Sequence, residues 1–139
     1  MLNNILSISG KPGLFKLVSR GKNMLIVESL LNGKRMPAYS HDKVISLADI
    51  AMFTQDGEEP LAKVMDAVKK VENGAIVSLS SKATSEELRN WFGTILPDFD
   101  RERVYPSDIK KLISWYNILT ESNNNDFLAE TKEVEETQE

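Results

Sequence analysis

The hydrophobic period of this chain changes once, near Asp56-Gly57, and any fold must respect that change. Before it, apolar residues come in short runs closed by turn residues, the pattern of strands. After it they recur at three- and four-residue steps, the pattern of amphipathic helices. Strands followed by helices predict an α+β protein.

The sharpest local signal is Asn32-Gly33, flanked by apolar-rich stretches. Both residues tolerate positive φ, so the pair predicts a two-residue type I′ hairpin turn. That register sets Leu31 opposite Lys34, Ser29 opposite Met36 and Val27 opposite Ala38. Leu25, Val27, Leu31, Met36 and Ala38 then share one face, and Glu28 and Arg35 become diagonal neighbours on the other. Pro37 has no N–H to give a ladder, so its strand belongs at an edge or carries a bulge there. Ile5–Ile8, Leu14–Val18, Val44–Leu47 and Ile50–Phe53 are further short apolar runs. Strands this short and close predict a small SH3-like β-barrel, or a strongly bent antiparallel sheet, over residues 1–55.

Residues 56–122 read as a three-helix unit. Glu58, Glu59 and Pro60 suit a first helical turn, and Leu61, Val64, Met65, Val68 and Val71 form a stripe stopped by Asn73-Gly74. Thr84 and Glu87 make a capping box ahead of Leu88, Trp91, Phe92, Ile95 and Leu96, with Pro97 as terminator. A third helix starts around Pro106-Ser107-Asp108 and buries Ile109, Leu112, Ile113, Tyr116 and Leu119. Trp91 and Phe92 are the expected centre of the bundle. Residues 75–79 fit either a short strand or an apolar linker, and linker is the reading adopted. From Asn123 to Glu139 only Phe127, Leu128 and scattered small residues offer apolar surface, so a disordered acidic tail is expected.

Charge divides the chain as the period does. Residues 1–55 carry a net +4, residues 56–122 a net −3 and residues 123–139 a net −5. No cysteine is present, which removes disulfides, thiolate catalysis and sulfur-ligated zinc. The opening Met-Leu-Asn-Asn shows no basic leader and no long apolar run follows, so a cytoplasmic protein with no membrane partner is expected.

Candidate chemistry is thin. His41 is the single histidine and sits in the polar stretch Tyr39-Ser40-His41-Asp42, where a solvated turn side chain is the plain reading. Asp98, Asp100 and Glu102 alternate like the start of a calcium loop, but Arg103 stands where that loop needs glycine and Ile109 where it needs glutamate. Gly10-Lys11-Pro12-Gly13 lacks the Gly-Lys-Ser/Thr ending of a phosphate-binding loop and opens no helix. The second and third helices are joined too loosely for a helix-turn-helix. No catalytic, metal-binding or cofactor-binding residue is assigned, and a non-enzymatic protein with no small-molecule substrate is expected.

The run from Leu6 to Val18, with Ile26–Leu30, Gly33-Lys34-Arg35 and Lys43–Leu47, resembles a family of short bacterial proteins defined only as a domain of unknown function. The resemblance extends over about residues 1–122 and implies no activity or ligand.

The leading expectation is therefore a protein–protein interaction module, binding another protein or a second copy of itself, with the strand near Pro37 open to a partner strand. The alternative is a nucleic-acid-binding small barrel regulated by its acidic tail. Its surface would use Lys11, Lys34 and Arg35 at one end of the strands, and Arg20, Lys22 and Lys43 at the other.

Overall fold

A computed structural model describes residues 4–11, 13–39, 42–79, 82–122, 124, 126 and 127. In chain order the strands are β1 (Ile5–Ile8), β2 (Phe15–Gly21), β3 (Met24–Ser29), β4 (Arg35–Tyr39) and β5 (Val44–Ser46). A 3₁₀ turn (Leu47–Asp49) leads to β6 (Ala51–Thr54) and β7 (Gly57–Pro60). Helices α1 (Leu61–Val71), α2 (Ser85–Ile95) and α3 (Pro106–Glu121) follow.

β1 to β5 form an antiparallel sheet in the order β4-β3-β2-β1-β5. A closed barrel is not formed among the described residues: β4 and β5 are the two ends of the ladder and do not pair. All five strands nevertheless supply one apolar cluster: Leu6, Ile8, Phe15, Leu17, Val27 and Ala38 are its buried members, with Leu25, Met36 and Val44 against it. Alternation does this, because one side of every strand points to the same interior.

The β3–β4 hairpin forms with a longer loop than expected. Val27 pairs with Met36 and Leu25 with Ala38, a slip of two residues from the two-residue-turn register. The slip is even, so the faces are preserved, and Glu28 now sits directly opposite Arg35, with Oε1 3.5 Å from Nε. Gly33 takes the positive φ of 72°, while Asn32 contributes its side chain, Oδ1 accepting the Lys34 N–H at 2.9 Å. Leu31 is released into the loop and is 57% exposed.

The sequence around Asp56-Gly57 does not begin a helix. Thr54 pairs with Gly57 and Ala51 with Pro60, so Gln55 and Asp56 are the turn of a hairpin and Glu58 and Glu59 lie in a strand. Pro60 is the N-cap of α1, whose buried face is Leu61, Val64, Met65 and Val68. Val71, expected on that face, is exposed at the last turn. Asn73 and Gly74 then stop the helix with φ of 54° and 80°.

α2 begins with the reciprocal cap: the Glu87 N–H donates to Thr84 Oγ1 and the Thr84 N–H to Glu87 Oε1, both at 3.1 Å. α3 buries all five residues expected of it. The main core unites these helices with Ile5, Leu14, Leu47 and Met52. Its aromatic centre is Phe92, edge-on to Phe99 at 4.8 Å, with Tyr116 fully covered. Trp91 is half-buried at the rim, because its indole N–H reaches out to Glu72 Oε1 at 3.3 Å.

Residues 75–79 form no strand, yet they are fixed. The Val77 N–H donates to Asn117 Oδ1 at 2.8 Å, Asn117 Nδ2 donates to the Val77 carbonyl at 3.3 Å, and Tyr116 Oη donates to the Ala75 carbonyl at 2.7 Å. One asparagine thus satisfies both backbone groups of Val77 as a neighbouring strand would. Phe127 is buried against Tyr116, with ring centres 5.8 Å apart, so packing continues past Asn123. The rest of the expected tail, residues 123, 125 and 128–139, lies outside the described residues.

Two expectations follow. Phe92→Ala should cost about 3–5 kcal/mol and Trp91→Ala distinctly less, measured by urea unfolding; the reverse order would displace Phe92 from the centre. Burial, with the Glu72 carboxylate acting in the same direction, pushes the Tyr116 phenol above its ordinary value. The unfolded chain therefore ionises first. Stability is intact below about pH 10 and falls as pH rises towards the raised folded value. Tyr116→Phe should flatten that alkaline loss in unfolding curves taken across the range.

Candidate binding cleft

β1, β5, β6 and the loop before α3 meet beside α3. On the sheet, Ser7 of β1 lies opposite Ile45 of β5, and both point away from the apolar cluster that takes Leu6, Ile8 and Val44. On the hairpin, β6 supplies Met52 and Phe53. On α3, Asp108, Lys111, Leu112 and Trp115 fall at three- and four-residue steps and so share one stripe. Arg103 and Val104 come from the loop before α3.

Between these segments is a cleft of about 290 Å³. Leu61, Met52, Val104 and Leu112 are buried and form its apolar floor. Ile45, 53% exposed, and Phe53, 38% exposed, stand in its walls with Trp115 half-buried between floor and mouth. Two cations lie over the aromatic rings: the Arg103 guanidinium is 5.3 Å from the Phe53 ring centre and Lys111 Nζ is 5.8 Å from that of Trp115. Arg103 Nε also lies 3.6 Å from Asp100 Oδ2. Asp108 is committed to the helix end, its Oδ2 accepting the Tyr105 N–H at 2.9 Å. Apolar walls with engaged polar groups suit recognition.

The hairpin is held to the loop between α2 and α3 by its own backbone. The Gln55 N–H donates to the Asp98 carbonyl and the Asp100 N–H to the Phe53 carbonyl, each at 2.9 Å, forming a bridge from Thr54 to Phe99. Phe53 therefore has a fixed backbone. The Asp100 carboxylate stays within its loop, Oδ1 accepting the Glu102 and Arg103 N–H groups. Among the described residues no group of three or more histidine, cysteine or acidic side chains is placed to hold a metal ion. His41 lies outside the described residues.

The six basic residues do not divide as the alternating strands implied. The Leu30 N–H donates to the Leu14 carbonyl, and Leu31 lies across Gly13, where a Cβ would come within 2.5 Å of Leu31 Cδ1. The turn after β1 and the loop after β3 are thus neighbours, bringing Lys11 and Lys34 to one end of the sheet. Lys43 joins them, since its carbonyl accepts the Ser9 N–H at 2.9 Å. Arg20 and Lys22 remain at the opposite end, around the turn between β2 and β3. Arg35 is tied to Glu28.

The Pro37 edge proves to be a poor acceptor for an added strand. The Ser29 N–H bonds to the Lys34 carbonyl, so by alternation Met36 and Ala38 face β3 while Arg35, Pro37 and Tyr39 face outward. Pro37 has no N–H, and that of Tyr39 donates to Asp42 Oδ2 at 2.8 Å. Only Arg35 keeps an outward N–H for a partner strand.

The chain matches the description "Domain of unknown function (DUF6852)" over residues 50–119, half its length, and "Domain of unknown function (DUF5606)" over residues 2–47. The chain belongs to the DUF6852 family. The two matches meet at the 3₁₀ turn Leu47–Asp49, so the cleft draws residues from both. A solution NMR structure from Bacteroides vulgatus, a structural-genomics target, is similar to this chain. It is 60% identical, 91% of each chain is covered, and the TM-score is 0.75. No curated protein matches. No helix among the described residues is long and apolar enough to cross a membrane.

The cleft was hidden in the sequence because Ser7, Ile45, Phe53 and Trp115 form no spaced motif. The exposed Ile45 should be dispensable for folding: Ile45→Asp is expected to change unfolding free energy by no more than about 0.5 kcal/mol in urea titration.

Proposed function

We propose that this protein is a non-enzymatic interaction module that grips another protein through the cleft beside α3. The observation that carries the reading is the cluster of Ile45, Phe53 and Trp115, left open to solvent on a buried floor and flanked by Arg103 and Lys111. Aromatic and arginine side chains at the rim of an apolar hollow are the groups that dominate binding at interfaces. The strand order β4-β3-β2-β1-β5, with every strand feeding one interior cluster, supports treating residues 1–55 as a half-open SH3-like barrel. The cytoplasm suits a chain with no cysteine. In co-purification from lysate, the native protein should retain a stoichiometric partner, or a second copy of itself, that Ile45→Asp loses. Absence of both from the native protein would overturn the reading.

A second reading draws on the gathering of Lys11, Lys34 and Lys43 at one end of the sheet. Three cations there could follow a phosphate backbone, with the acidic tail competing for them. Because Phe127 belongs to the core, the deletion that tests this reading begins after it. Removing residues 128–139 should strengthen salt-dependent RNA or DNA binding measured by fluorescence anisotropy, and Lys43→Glu should weaken it. Binding that is absent from the truncated chain, or indifferent to salt, counts against this reading.

A further inference from the structure

The ionisable side chains lining the cleft are Arg103, Lys111 and Asp108. The single carboxylate is turned into the cap of α3, where it accepts the Tyr105 N–H. Lys111 lies over Trp115 and has no ion pair among the described residues. Arg103 stacks on Phe53 and reaches only the exposed, long contact to Asp100, whose carboxylate is shared with two backbone N–H groups. Across the lining two cations stand against one carboxylate, a net of +1 in a protein of net charge −4.

Size and shape narrow the occupant. About 290 Å³ lies at the lower limit of small-molecule sites, which run to about 300–1,000 Å³ and enclose most of their ligand. Here the hollow is open, and its wall runs outward through Ile45, which is 53% exposed. Tyr105, the N-cap of α3 and next in sequence to the lining residue Val104, is 60% exposed. A hollow with room for one large side chain, continued by exposed apolar surface, fits a chain segment better than an enclosed ligand.

We infer that the cleft takes a short acidic segment of a partner protein, with one large apolar side chain seated between Phe53 and Trp115 and carboxylates facing Lys111 and Arg103. The inference rests on the cleft being the interaction surface and adds the chemistry of what it binds. A basic segment would meet two cations of like sign at the mouth and be rejected.

The test is selection of a displayed library of random peptides of about ten residues on the full-length protein, with Ile45→Asp as the counter-selection. The expected winners carry Leu, Phe or Trp flanked by Asp or Glu, and their affinity falls with added salt. Lys111→Glu should weaken the best of them by about tenfold or more. Lys110→Glu, one position away on the same helix but outside the cleft lining, should change it by less than about twofold. Winners that depend on Ile45 but are neutral or basic overturn the acidic assignment and leave the interaction surface standing. No winners, or winners that bind Ile45→Asp equally well, overturn both.

Discussion

The structure turns on a short backbone bridge. Two hydrogen bonds clamp Phe53 and Gln55 to the loop at Asp98–Asp100, and between them Phe99 is driven into the core against Phe92. Phe99 is 1% exposed although it sits in a loop of aspartates, because its neighbours' polar groups are used at the surface while its ring goes inward. Through this bridge the strand hairpin and the helices become one body. Ile5 of β1 and Leu14 of the turn before β2 complete the same core from the other side. Neither half of the chain covers this apolar surface unaided, which is the usual limit on units this small.

The cleft is a by-product of that union. Once β6 is fixed across the α2–α3 loop, its exposed face is held near α3, and the outward side of β5 closes the third wall. Its geometry depends on backbone hydrogen bonds and a packed floor, so the proposed occupant would meet walls already in place, which lowers the cost of ordering on binding. The cations over Phe53 and Trp115 are restrained by the rings beneath them.

What the sequence revealed follows from how local each signal is. The Thr84–Glu87 cap, the Asn73-Gly74 stop and the buried stripe of α3 are set within a few residues, and each is present. The faces of the β3–β4 hairpin could be read even though its register could not, because a slip of two leaves alternation unchanged. β7 was illegible: Gly57-Glu58-Glu59-Pro60 has no apolar alternation and is a strand only because β6 lies beside it. Phe99 gave a single apolar residue with no period. Trp91 misled through its size, since a large ring with an N–H to satisfy settles at a rim. The cleft needed the tertiary arrangement, since its walls come from segments separated by tens of residues.

The pairing of Asn117 with Val77 and of Tyr116 with Ala75 joins positions 40 and 41 residues apart. In topological terms it closes a ring containing α2 and both of its connections. Fraying of α2 is thereby tied to release of the α3 end, so the two open as one cooperative unit. Closure entropy grows only with the logarithm of ring size, and this ring can therefore accept length.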